Sequence, residues 1–157
     1  MKHLPKHLRQ RWRYLAVGIE AWPDASLDRA TVQRGLWYAA RDLVGDAGSA
    51  RLDLTVLSVD FTEGAGEAVV RTRRGEVEPA RAVVASVTSV DGHDVALRVR
   101  GVSGTVRACE EKYMGRGPKE PEQRHVVFRD AERSATVRDG RLDVRIDDAF
   151  AGATTLE

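Results

Sequence analysis

Tyr14-Leu-Ala-Val-Gly-Ile-Glu-Ala-Trp22 is the stretch on which the fold turns. Leu15, Val17 and Ile19 alternate with Tyr14, Ala16 and Gly18. A two-residue period marks a strand with one buried face. Pro23-Asp24 closes the run, since proline brings no ladder donor. Ser26 is then the expected N-cap of a helix, with Asp28 in its first turn. Leu27, Val32, Leu36, Ala40 and Leu43 recur at helical spacing, and Gly45 is expected to stop the helix.

Downstream, Arg51 to Asp60 alternates as a second strand. Thr62-Glu-Gly-Ala-Gly66 turns it into a third, Glu67 to Arg73. Pro79 sits near the start of a second helix that carries Val83, Val84, Val87 and Val90. Asp91-Gly92 turns the chain into a fourth strand, Val95 to Arg100. The order strand, helix, strand, strand, helix, strand predicts an α+β fold of the ferredoxin-like type, shared with RNA-recognition domains. Its form is an α/β sandwich: a four-stranded antiparallel sheet with both helices on one face.

Alternation then assigns the other face. With Leu15, Val70, Val95, Leu97 and Val99 turned toward the helices, Tyr14, Arg71, Arg73, Arg98 and Arg100 share the opposite surface. Four arginines and a tyrosine on one sheet face suit a polyanion. The third strand, Glu-Ala-Val-Val-Arg-Thr-Arg73, has no aromatic residue on which a base could stack. Recognition of phosphate and shape in a folded RNA is therefore expected over reading of bases.

The fourth strand runs into Gly101-Val-Ser-Gly-Thr-Val-Arg-Ala-Cys-Glu-Glu-Lys-Tyr113. We expect a glycine-rich turn opening an additional helix. Free backbone N–H groups at Gly101, Ser103, Gly104 and Thr105, with Arg107 and Lys112 nearby, suit a phosphate. A plain strand-to-helix connection, or a protein interface, is the alternative. Arg107 and Glu111 have the spacing of a helix-surface ion pair.

The chain opens Met-Lys-His-Leu-Pro-Lys-His-Leu-Arg-Gln-Arg-Trp-Arg-Tyr14. Lys2, Lys6, Arg9, Arg11 and Arg13 are positive and no acid stands among them, although the whole chain carries only +1. Such a segment attracts polyanions and resists compact structure. Residues 1–13 are read as a basic arm that wraps an RNA backbone, and residues 14–115 as the folded domain. The linker is 116–121. Residues 122–157 form a C-terminal extension holding a small hairpin about Asp139-Gly140 and, from Ala149, a mobile tail.

Two of these segments, Leu4-Pro-Lys-His-Leu-Arg-Gln-Arg-Trp-Arg-Tyr14 and Gly101 to Tyr113, together resemble archaeal ribonuclease P protein component 2 over residues 1–115. The resemblance implies a non-catalytic subunit of the ribonucleoprotein that removes the 5′ leader of precursor tRNA. The RNA subunit breaks the bond with bound Mg²⁺, and the protein stabilises it. Implied partners are ribonuclease P RNA, precursor tRNA and ribonuclease P protein component 3, in a dimer of heterodimers. Val83, Val84, Trp37 and Tyr38 are candidates for the protein interface. Two other readings stay open: a regulatory domain binding a small ligand, and a general RNA chaperone.

Little favours catalysis by the chain itself. There is no P-loop, nucleophile elbow or cysteine pair. Cys109 stands alone and reads as a buried structural thiol. No protein-bound metal or cofactor is expected. With 42% hydrophobic and 31% charged residues and no long apolar run, we expect a protein without membrane association, in the cytoplasm.

Overall fold

The computed structural model describes residues 4–115, 122–138, 141–147 and 149–154. Strand β1 is Trp12–Ala21, two residues earlier than its alternation suggested. It pairs antiparallel with β3 (Ala65–Arg73) on one side and β5 (His93–Ser103) on the other. Strand β2 (Thr55–Thr62) adds outside β3, and the two-residue β4 (Ser89–Val90) outside β5. The sheet order is β2-β3-β1-β5-β4, so the sheet has five strands, not four. Glu63-Gly64 and Asp91-Gly92 make the tight turns, all four residues at positive φ, as two-residue hairpins require.

Helix α1 (Arg29–Leu52) starts at Asp28, not Ser26. The Asp28 side chain accepts from the Thr31 N–H at 2.8 Å, and the Thr31 hydroxyl accepts from the Asp28 N–H at 3.0 Å. That reciprocal cap satisfies two donors that a helix start leaves open. Gly45 (φ 75°, ψ 172°) does break the helix, but the chain re-enters it. Arg51 and Leu52 are therefore helical, and the second strand begins only at Thr55. Helix α2 (Val77–Ser86) is shorter than expected: Val87 ends it and Val90 belongs to β4.

Both helices cover the face of Leu15, Val17, Ile19, Val56, Ala68, Val70 and Leu97. Leu36, Val83 and Val84 complete this core, each at most 1% exposed. Gln33 lies within it fully satisfied. Its amide donates to the Leu54 carbonyl at 3.0 Å and accepts from the Val56 N–H at 2.7 Å. The helix thereby meets the edge strand β2 without leaving a buried polar group unpaired.

Helix α3 (Val106–Tyr113) lies on the opposite face, where Cys109 packs with Ala16, Val69, Tyr14, Tyr113 and Met114. The expected turn at Gly101 is a correction: β5 continues through Ser103, and the turn is confined to Gly104-Thr105.

The C-terminal extension is a four-stranded antiparallel meander, β6 (Glu122–Phe128), β7 (Ala131–Arg138), β8 (Arg141–Ile146) and β9 (Ala149–Thr154). It exceeds the expected hairpin, and residues 149–154, read as a mobile tail, form a paired strand instead. Arg145 reaches Asp24 at 3.4 Å and lies 5.3 Å from the Trp22 ring centre. Lys2, the 116–121 linker, the Asp139-Gly140 turn and residues 155–157 lie outside the described residues.

Candidate nucleic-acid interface

The sheet face opposite α1 and α2 carries the charged residues, and its geometry begins with β1. Trp12, Tyr14, Ala16 and Gly18 stand across from Arg73, Arg71, Val69 and Glu67 of β3. On the other side, Tyr14, Ala16 and Gly18 stand across from Ser103, Gly101 and Arg98 of β5. A bulge at Ala16/Val17 makes this possible. It inserts Arg100 beside Gly101, so both project to this face while Val99 and Val102 pack toward the core.

The expected open face is therefore partly closed. Helix α3 covers its centre through Cys109, Tyr113 and Met114. Gly101 lies beneath the Tyr113 ring, which a Cβ there would overlap. Gly101 is thus a packing residue beneath that ring. Ser103 is paired opposite Tyr14. The Thr105 hydroxyl caps α3 by accepting from the Ala108 N–H at 3.1 Å. Arg107 donates to Glu111 at 2.8 Å on the exposed surface, and Lys112 lies 5.5 Å from the Tyr113 ring centre. Burial pushes the Cys109 thiol up from its ordinary pKa, as befits a structural residue.

The arginines differ in what they touch. Arg100 crosses Gly18 to pair with Glu67 at 2.8 Å, both side chains more than four-fifths buried. The same Glu67 carboxylate accepts from the Gly115 N–H at 3.0 Å, fastening the end of α3 to the sheet. Arg100 is thus committed within the molecule. Arg98, opposite Gly18, is exposed. Arg71 stacks on Trp12, its guanidinium carbon 3.9 Å from the ring centre. Arg73 approaches Asp53 at 3.6 Å.

The basic start joins this end of the sheet. Lys6 belongs to a 3-10 turn, Lys6–Leu8, and Arg9 donates to the Leu4 carbonyl at 2.9 Å. The Arg11 carbonyl accepts from the Arg74 N–H at 2.9 Å, and Arg13 lies within β1. Arg13 donates to the Trp12 carbonyl at 3.1 Å, and its Nη1 lies 4.0 Å from where a Gly104 Cβ would stand. The fold thus joins two segments ninety residues apart in sequence. Arg11 meets the end of β3 through Arg74, and Arg13 stands across from Thr72, between Arg71 and Arg73 in the β3 register, with Gly104 alongside.

Sequence reasoning missed Trp12. Its signal was available, since Trp12 extends the Tyr14, Ala16, Gly18 alternation backwards by one step. On the helix side, Val83 and Val84 are fully buried core residues and leave the list of interface candidates. Trp37 and Tyr38 stay on it, 52% and 56% exposed. Tyr38 and Leu43 line a groove of about 460 Å³ between α1 and the Ser86–Asp91 segment, and Trp37 lines a separate one with Tyr38, Arg41 and Asp53. Among the described residues, no group of three His, Cys, Asp or Glu stands ready to hold a metal ion. Among the same residues, no helix is long and apolar enough to cross a membrane.

The chain is similar in sequence to known proteins. "Ribonuclease P protein component 2" of Haloarcula marismortui is 62% identical over 159 residues, 100% of this chain and 99% of that protein. The protein of the same name from Natronomonas pharaonis is 60% identical, covering 100% of this chain and 98% of its own length. That of Thermococcus kodakarensis is 29% identical over 113 residues, 72% of this chain and 91% of that protein. The model of the Rpp14/Pop5 family matches residues 13–114, from the Arg13 that reaches toward Gly104 to the Met114 that packs α3 on the sheet. The chain belongs to the Rpp14/Pop5 family.

Proposed function

We infer that this chain is a protein subunit of ribonuclease P, the component 2 of that ribonucleoprotein. The observation that carries the reading is end-to-end similarity to proteins of that name, at 62% and 60% identity. Neither the ligand-binding regulatory domain nor the general RNA chaperone draws support from these relatives. The subunit belongs to an endoribonuclease that matures the 5′ end of tRNA, and the RNA subunit carries the chemistry with Mg²⁺. The strand order β2-β3-β1-β5, with α1 and α2 on one face, supports reading the connectivity as ferredoxin-like.

In this reading the basic end of the sheet meets RNA. Lys2, Lys6, Arg9, Arg11 and Arg13 wrap the backbone, and Arg71, Arg73 and Arg98 extend the contact across the sheet. Neutralising phosphates lets RNA helices approach one another, so the protein raises activity without a catalytic residue. The helix side, where Trp37 and Tyr38 are exposed, is left for component 3 and for pairing of heterodimers. In this reading the assembly acts on precursor tRNA in the cytoplasm.

Reconstitution tests the reading. Cleavage of a precursor tRNA by the cognate RNA is followed with and without this chain and component 3, across a Mg²⁺ titration. The expected result is a lower Mg²⁺ requirement, lost when Arg9, Arg11 and Arg13 are neutralised. No effect of the folded protein would refute it.

A further inference from the structure

The arginines of the sheet face divide by how their donors are met. Arg100 has Glu67 at 2.8 Å, although its Nη2 is buried without a hydrogen-bond partner. At the end where β1 starts, acceptors run short. The Nε atoms of Arg71 and Arg73 are both buried and meet no hydrogen-bond partner. Asp53, 3.6 Å from Arg73, is the one carboxylate within ion-pair reach of either among the described residues. Arg71 thus has no carboxylate partner among the described residues, and Arg73, 41% exposed, keeps donors within reach of an acceptor from outside the chain. Trp12 lies directly across from Arg73, and the Arg71 guanidinium carbon sits over its ring, 3.9 Å from the centre.

We propose that Trp12 is a positioning residue that fixes Arg71, beside Arg73, as a preformed seat for an RNA phosphodiester. Stacking fixes the plane of a guanidinium and leaves its edge donors directed outward in that plane, the geometry that matches phosphate oxygens in a bidentate pair. An arginine already held by a ring has less rotamer freedom to lose on binding. Trp12 thus strengthens binding while contributing no charge. The seat is a subsite of the RNA-contacting face, and the proposal rests on the ribonuclease P reading.

The test uses the full chain and the cognate ribonuclease P RNA, with affinity measured across a salt series. Arg71→Ala is expected to weaken binding about tenfold and to reduce the salt slope by about one unit. Trp12→Ala is expected to weaken it about three- to tenfold although no charge is lost. The double variant should bind no more weakly than Arg71→Ala alone, and Trp12→Phe should restore most of the affinity. Wild-type affinity in Trp12→Ala, or losses that multiply in the double variant, would overturn the proposal. Should Trp12→Ala fail to fold, Trp12→Leu keeps an apolar body without the ring and decides in the same way. Weakening by Arg9→Ala and Arg11→Ala but not by either Trp12 variant would sink the seat while sparing the subunit reading. Failure of the wild-type chain to bind the RNA would sink both.

Discussion

The ring of Tyr113 lies against the α-carbon of Gly101, and through this contact helix α3 sits on the sheet. Glycine is required here by space, not by backbone conformation. A methyl group at 101 would collide with the ring, and the ring is held by Tyr14, Met114 and Cys109 around it.

Gly101→Ala should therefore cost about 1–3 kcal/mol of stability, the range for overpacking a closed contact. Tyr113→Ala in the same chain should recover part of that loss, because the clash has then lost its partner. Denaturant unfolding of the two single variants and the double variant measures the coupling. Additive losses would show that the two residues do not constrain each other.

Glu67 joins three elements: β3, which carries it, β5 through Arg100, and the end of α3 through the Gly115 N–H. Glu67→Ala leaves the Arg100 guanidinium buried without its carboxylate, and stability should fall by about 2 kcal/mol or more. Replacing both as Glu67→Leu with Arg100→Met should restore much of it, since the apolar pair leaves no charge stranded. Arg98→Glu should do the opposite of Glu67→Ala: stability little changed, RNA affinity reduced. If Arg100→Met with Glu67→Leu lost RNA affinity as strongly as Arg98→Glu, Arg100 would be an RNA contact after all.

Much of this face was legible from alternation. Leu15, Val17 and Ile19 had to share one side, so Tyr14, Arg71 and Arg98 had to share the other. A bulge is invisible to that logic. The extra residue at Arg100 changes which neighbours oppose each other, and only pairing with β1 reveals that Gly101 follows it onto the same face. The glycine-rich composition of 101–105 suggested a turn for the usual reason, φ freedom, whereas the reason here is the Tyr113 ring. The true helix cap, Asp28-Arg-Ala-Thr31, is a reciprocal pair, and Ser26 two residues earlier is an equally good capping type by side chain alone. Strand β9, Ala149-Phe-Ala-Gly-Ala-Thr154, is poor in β-branched residues and gave no strand signal. Its pairing with β8 supplies what propensity does not.

Acid should loosen the start of α1. Hydrogen bonding to Thr31, first from its backbone N–H and then from its side chain, holds the Asp28 carboxyl below its ordinary value of 3.8. A carboxylate whose folded pKa is depressed contributes stability that is present above its unfolded pKa and lost as pH falls through the folded one. The cap is therefore intact at neutral pH and weakens once the pH drops below about 3.8. Asp28→Asn should reduce the acid dependence of unfolding in that window while leaving a competent cap. Identical acid profiles for the two proteins would place the acid sensitivity elsewhere.

The C-terminal meander should be separable from the domain it follows. The two core clusters of the five-stranded sheet contain no residue beyond Met114. The meander has its own buried centre, Ala135 and Val144, paired across β7 and β8. Among the described residues, Asp143 shares a pocket with Ala21, Trp22 and Val95, and Arg145 meets Asp24 and Trp22 in an exposed ion pair with a ring beside it. Such pairs contribute up to about 1 kcal/mol. A chain ending at Gly115 should keep its cooperative transition, with stability lowered by about that much and RNA affinity retained. Arg145→Ala in the full chain should reproduce part of the stability loss of the truncation. A truncated chain without cooperative unfolding would show that the meander supports the sheet through the Trp22 end of β1, and that the two parts form one folding unit.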